Sequence, residues 1–305
     1  MSELLKTIIG PLTLKNPVIT ASGTFGYGVE YADIMDVGSL GGVSVKGISL
    51  KPRLGNPPPR ICETPAGMLN SIGLANIGFD AFVTDVLPTL RKLGVTVIVN
   101  TYGTSIDEFE KLALKFDDVE GVAALEVNIS CPNVKAGGIH FGVSGKPAAE
   151  VTAAVRSATK LPVIVKLSPE AVDLAEVARA VYEAGADSIS MINTFRGMSI
   201  DVETRKPRLG AVMGGMSGPA IRPLAVRMVY QVHAAVPQIP IIAMGGITCA
   251  RDVLEFFLAG ASAVQIGTAN YTDPTIGLKI VNDLESYCKE RGHKLSELTG
   301  KVEVS

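Results

Sequence analysis

The sequence predicts an α/β fold, a (β/α)8 TIM barrel forming a single domain over 1–305, with insertions at the C-terminal face of the strands. Short apolar, β-branched runs alternate with patterns of helical period, as in parallel strands buried on both faces. The runs number eight, the count that closes a barrel. The alternative is a doubly wound open sheet, but no G-x-G-x-x-G follows the first strand. A chain of 305 residues with 47% hydrophobic content can bury a sizeable core.

The first strand is Pro17 to Gly23, apolar and ending in small residues. A brief helix is expected from Tyr31 to Val37, then a second strand, Gly41 to Gly47, with Lys46 at its end. Ile48 to Gly67 carries five prolines and reads as an irregular, functional insertion. A helical pattern runs from Phe79 to Leu93. The alternation then becomes regular. Strands are expected at Val95–Thr101, Ala123–Ile129, Pro162–Ser168, Ser188–Asn193, Pro240–Gly246 and Ala263–Thr268. Helices are expected after Ser105 and over Pro147–Thr159, Ala171–Ala184, Pro219–Ala235, Cys249–Ala259 and Thr275–Lys289. A Gly- and Arg-containing insertion, Phe195 to Gly218, interrupts the sixth unit.

Composition narrows the function. A net charge of -2 without blocks of like charge leaves no footprint for nucleic acid. Met1 to Pro11 has no long apolar run, so neither signal peptide nor membrane anchor is expected. Cys62, Cys131, Cys249 and Cys288 form no C-x-x-C pair. A zinc site or an iron–sulfur cluster held by this chain alone is therefore not expected, and scattered thiols fit a reducing cytoplasm.

Barrel enzymes place their sites at the C-terminal ends of the strands. Those ends carry Ser22, Lys46, Asn100, Asn128, Lys166, Asn193 with Thr194, Gly245 with Gly246, and Gly267 with Thr268. Polar groups at the ends of apolar strands are costly unless paired, and their coincidence on separate strands points to a polar ligand. The glycines of the seventh and eighth strands, each followed by a helix, suit close approach of a phosphate. The asparagines suit a planar amide-bearing ligand. Lys166 is suited to offset negative charge on a cofactor ring. Cys131 follows the strand that Pro132 ends, among Asn128, Ser130 and Asn133. Alone it would read as a small buried hydrophobe, but these neighbours favour a thiol that takes a proton from carbon. Of the three histidines, His233 and His293 are expected in helices at the surface, and His140 lies in the Cys131 loop.

Asn128-Ile-Ser-Cys-Pro-Asn133, Met68-Leu-Asn-Ser-Ile-Gly-Leu74, Ser217-Gly-Pro219, Gly245-Gly246 and Gly267-Thr268 together resemble the class 1 dihydroorotate dehydrogenases. The resemblance spans nearly the whole chain. Val134 to Gly138 and Pro52 to Pro57 resemble the NAD-linked subclass 1B. It implies an FMN-binding barrel that oxidises dihydroorotate to orotate in pyrimidine synthesis. Cys131 would be the catalytic base, removing the C5 proton while C6 delivers hydride to FMN. By matching position, Lys46, Asn70, Ser71, Ile72, Gly73, Leu74, Asn128, Asn193 and Thr194 would contact the pyrimidine. Ser22, Lys46, Gly47, Asn100, Asn128, Lys166, Ile192, Gly218, Gly245, Gly246, Gly267 and Thr268 would hold FMN. Subclass 1B implies a partner, an iron–sulfur flavoprotein carrying FAD and a [2Fe–2S] cluster, in a heterotetramer of two of each, passing electrons to NAD+. Asn76-Ile77-Gly78 departs from the Asn-Pro-Gly of the family. Two rivals stay open: the fumarate-linked subclass 1A, and a flavin-free barrel lyase or isomerase acting on a phosphorylated substrate.

Overall fold

In a computed structural model, which describes residues 3–130 and 141–304, the chain opens with an antiparallel hairpin, β1 (Thr7–Ile9) and β2 (Leu12–Leu14). β3 (Val18–Thr20) and β4 (Gly42–Ser44) follow. The helix expected from Tyr31 to Val37 does not form. Val29–Tyr31 and Val37–Ser39 each make a single 3-10 turn, because the intervening stretch is too short to repay helix nucleation. The proline-rich stretch is not wholly irregular either, since it contains β5 (Ile61–Thr64), which pairs with β6 (Gly67–Asn70).

The next helix runs as α1 (Gly78–Ala81), a π turn at Phe82–Val86 and α2 (Leu87–Lys92). Pro88 has no N–H to return to the preceding turn, and the widened turn accommodates that gap. The regular units follow in the expected order: β7 (Val97–Thr101), α3 (Ile106–Asp117), β8 (Val122–Asn128), α4 (Gly145–Ala158), β9 (Val163–Lys166), α5 (Leu174–Glu183) and β10 (Ser188–Met191). The helix starts are set by side chains. Ser105 accepts from the Glu108 amide, and Asp173 accepts from the Ala175 and Glu176 amides, so α5 begins at Leu174 rather than at Ala171.

The second insertion holds β11 (Phe195–Met198), β12 (Ile200–Asp201), β13 (Lys206–Pro207) and β14 (Met213–Ser217). α6 (Arg222–Ala235), β15 (Ile241–Met244), α7 (Ala250–Ala259), β16 (Ala263–Ile266), α8 (Ala269–Thr272) and α9 (Ile276–Arg291) complete the chain. Among the described residues none of the helices is long and apolar enough to cross a membrane.

β3, β4, β7, β8, β9, β10, β15 and β16 close into a parallel barrel, with β16 paired back onto β3. The two insertions meet in one antiparallel sheet, ordered β11-β14-β6-β5. Strand side chains alternate in direction, so residues two apart share a face. At one level the inward residues are Ile19, Ile98, Ala124, Ile164, Ile242 and Ala263, which pack with Ile9, Leu12 and Leu14 of the hairpin. That apolar plug closes one end of the barrel. One step further along the same faces stand Asn100, Glu126, Lys166 and Gln265, all buried. The barrel interior is thus split into an apolar floor and a polar layer beneath the carboxyl ends.

The histidine expectation needs correction. His233 is half-buried on α6, wedged against Gly260 and Gly300, and burial pushes its pKa down. His293 lies beyond α9, half-buried beside the Tyr287 ring, with its Nδ1 buried.

Candidate active site

A cavity of about 1470 Å³ opens at the carboxyl ends of the barrel strands. Pockets for one small ligand usually span roughly 300–1,000 Å³, so this one has room for two. Its lining includes every described residue assigned to a site from sequence: Ser22, Lys46, Gly47, Asn70 to Leu74, Asn100, Asn128, Lys166, Ile192 to Thr194, Gly218, Gly245, Gly246, Gly267 and Thr268. Cys131, Asn133 and His140 lie outside the described residues.

The floor of the cavity is a charged, hydrogen-bonded layer. Glu126 is 0% exposed. Its carboxylate accepts from Ser44 Oγ at 2.9 Å, Asn100 Nδ2 at 2.6 Å and Gln265 Nε2 at 2.6 Å. Lys166 Nζ lies 3.9 Å away. Burial alone would raise the carboxyl's pKa, but the Lys166 ammonium and the amides of Asn100 and Gln265 outweigh it and hold it below the usual carboxylate range. Glu126 received no role from the sequence. The signal was present, since it is a lone carboxylate in an apolar strand, in phase with the inward Ala124 and Asn128.

On one side of the cavity a polar chain fixes three side chains. Asn193 Nδ2 donates to Ser130 Oγ at 2.5 Å, and Ser130 Oγ donates to Asn128 Oδ1 at 2.8 Å. The Thr194 amide is held by Asn193 Oδ1 at 2.8 Å. Ser130, two residues past the end of β8, acts as the link. The amide pair leaves the remaining faces of Asn128 and Asn193 free to present a donor and an acceptor to a planar ligand.

The insertion sheet forms a second wall. Asn70 pairs with Gly215 across β6 and β14, and its Nδ2 donates to the Gly215 carbonyl at 3.2 Å. A Cβ on Gly215 would fall 2.0 Å from Thr194 Oγ1, so only glycine lets that threonine stand there. Ser71 Oγ accepts from Asn56 Nδ2 at 2.8 Å, which ties the segment after β6 to the proline-rich insertion. Leu74 sits at φ +59, a conformation disfavoured for a branched side chain. Lys46 is half-buried at the cavity edge. Burial, and then the nearby Arg60, lower its pKa against the pull of Glu30.

On the opposite side, glycines bring backbone to the cavity surface. Gly245 has φ +139 and Gly246 φ +72, and a Cβ on Gly246 would meet the Gly218 carbonyl at 2.7 Å. Thr268 Oγ1 donates to Ser217 Oγ at 2.8 Å. The sequence also suggested the start of the helix at Cys249 as an anion site. Two amides just ahead of that helix are taken: Asp252 Oδ2 accepts from the amides of Thr248 and Cys249. Asp252 also pairs with Arg222. The backbone of Gly245 and Gly246 remains exposed to the cavity to meet an anion here. No cluster of three or more metal-ligating side chains occurs among the described residues.

A closed parallel barrel with its polar groups gathered at the carboxyl ends defines a (β/α)8-barrel enzyme. Its relatives say which. The sequence profile of the dihydroorotate dehydrogenase family matches residues 4–288. The chain belongs to the dihydroorotate dehydrogenase family. It is 56% identical over 293 residues to the "Dihydroorotate dehydrogenase B (NAD(+)), catalytic subunit" of Desulforudis audaxviator, covering 96% of this chain and 95% of that one. The protein of the same name from Desulforamulus reducens is 55% identical over 297 residues, 97% of each chain. That from Parabacteroides distasonis is 50% identical over 305 residues, 100% of this chain and 99% of the relative.

Proposed function

We propose that this chain is the catalytic subunit of an NAD-linked dihydroorotate dehydrogenase that oxidises (S)-dihydroorotate to orotate in pyrimidine synthesis in the cytoplasm. The observation that carries it is the meeting of Lys46, Asn100, Asn128, Lys166 and Asn193 in one cavity large enough for a cofactor and a substrate. The residues present fit FMN. The glycine backbone at Gly245, Gly246 and Gly267 suits a phosphate, and the buried ammonium of Lys166 suits an electron-rich ring. Bound there, FMN would supply the hydride acceptor.

The chain's own residues supply the rest. Asn128 and Asn193, locked through Ser130, orient the pyrimidine ring. Lys46, partly desolvated, contacts both the pyrimidine and the cofactor. Asn70 to Leu74 cover the ring from the insertion wall. Cys131 takes the C5 proton as general base. Electrons leave through a partner, an iron–sulfur flavoprotein with FAD and a [2Fe–2S] cluster, two copies of each subunit together, and reach NAD+. The relatives' names, with "NAD(+)" and "catalytic subunit", support the acceptor and the division into subunits.

The test is the spectrum of the purified chain. It should carry FMN that is bleached anaerobically by dihydroorotate without a partner, while NAD+ reduction appears only when the iron–sulfur subunit is added. A colourless chain that cannot be reconstituted with FMN would refute the reading. Efficient fumarate or NAD+ reduction by the chain alone would refute the partner.

A further inference from the structure

We propose that Glu126 is a positioning residue of this site, holding Lys166 and Asn100 at the cavity floor and setting how strongly the site favours reduced over oxidised cofactor. This rests on the FMN reading above.

Three observations carry it. First, the carboxylate gathers donors from three other strands: Ser44 on β4, Asn100 on β7 and Gln265 on β16. It is the hub of the polar layer. Second, the ion pair is loose. At 3.9 Å, Lys166 Nζ is beyond the roughly 2.7–2.9 Å of a charge-assisted hydrogen bond. The ammonium is therefore steered by the carboxylate without being seated on it, and it lines the cavity. Third, the fold does not call for a charge here. The layer below is wholly apolar, and a buried ion pair is weak support for stability.

The consequence is a charge balance. Glu126 and Lys166 together are neutral, so the cofactor ring faces a cation whose field is partly cancelled from below. Two-electron reduction makes a flavin more electron-rich. Neutralising Glu126 would leave the Lys166 charge uncompensated and favour the reduced form.

Glu126→Gln is nearly isosteric. It can be accommodated because Gln265 Oε1 is buried without a partner and can turn to accept from the new amide. The experiment is a redox titration of FMN-loaded wild type, Glu126→Gln and Glu126→Asp, read by flavin absorbance, alongside their thermal midpoints. Glu126→Gln should bind reduced FMN about tenfold better relative to oxidised FMN, a positive shift of about 30 mV for a two-electron couple. Glu126→Asp, which retracts the charge, should shift the potential in the same direction by less. Should the Gln variant fail to fold, the Asp variant decides the sign. A fall in thermal midpoint with an unmoved potential in the variants would mean a purely structural carboxylate and overturn the proposal. A wild type that holds no FMN overturns the functional reading and this one with it. An FMN-bearing wild type with unshifted variants overturns this one alone.

Discussion

Lys166→Met keeps the aliphatic stem and removes the ammonium, which leaves Glu126 buried without its counter-charge. At 3.9 Å and an effective dielectric of about 20, the lost attraction is about 4 kcal/mol. The hydrogen bonds from Ser44, Asn100 and Gln265 remain, so the carboxylate is not orphaned. The loss should be pH-dependent, and its sign follows from the shifts. In the wild type the folded carboxyl lies below its ordinary value of 4.5, so its stabilisation is present above pH 4.5 and is lost as pH falls through the depressed value. In the variant, burial dominates and the folded pKa rises above 4.5. Stability then falls as pH increases toward that raised value. The two curves diverge as pH rises above the depressed wild-type value and converge below it. Urea unfolding of both purified proteins, followed by far-UV circular dichroism from pH 4 to pH 8, should show a deficit that grows to about 3–4 kcal/mol at pH 8. A deficit of the same size at every pH, or none, would refute the coupling of Lys166 to Glu126.

Cys131→Ala should slow flavin reduction by dihydroorotate by roughly 10²–10⁴-fold while orotate still perturbs the flavin spectrum; an unchanged stopped-flow rate would place the base elsewhere. Cys131→Ser should keep part of the activity, mostly at high pH. Gly246→Ala combines a φ of +72 with a Cβ 2.7 Å from the Gly218 carbonyl, so FMN retention on ultrafiltration should weaken about tenfold. Gly215→Ala would press on Thr194 and should raise KM for dihydroorotate about tenfold with flavin content unchanged, whereas a fall in flavin content at constant KM would remove Thr194 from the substrate side.

The barrel was legible because its signals are local. Val97 to Val99 and Ile241 to Met244 are fully buried apolar runs, and such runs read as parallel strands without any knowledge of their neighbours. The cap at Ser105 sits at the spacing that a helix start requires, whereas that at Asp173 was passed over and its helix expected three residues too early. What depends on distant pairing was not legible. Ile61 to Thr64 is a strand only because Met68, Leu69 and Asn70 lie beside it, and those in turn pair with Ser217, Met216 and Gly215. The role of Asp252 was not legible either: three residues past Cys249, its carboxylate takes the Thr248 and Cys249 amides just ahead of α7. Residues such as Asn100, Asn128 and Lys166 were legible as strand ends and Asn70 to Leu74 only through the family resemblance, whereas Glu126 lies one inward step below an end and needs the face of each residue to be followed, not only the end of each strand.

That position bears on why the polar layer exists at all. A barrel interior filled with branched apolar side chains, as at Ile98, Ile164 and Ile242, needs no charge to close. Replacing a buried ion pair by well-packed hydrophobes is often neutral or stabilising by about 1–4 kcal/mol. Glu126→Leu with Lys166→Met, made together, should therefore leave the unfolding midpoint near that of the wild type or above it, while the FMN yellow colour is lost or its reduction by dihydroorotate slows. Retained flavin and a retained rate would mean that the pair serves neither the fold nor the chemistry. The contrast with Lys166→Met alone is the informative part. Removing one partner leaves a desolvated charge, and removing both leaves an ordinary barrel core. Stability lost in the single variant and regained in the double, with function lost in both, would assign the buried charges to the ligand above them and not to the strands around them.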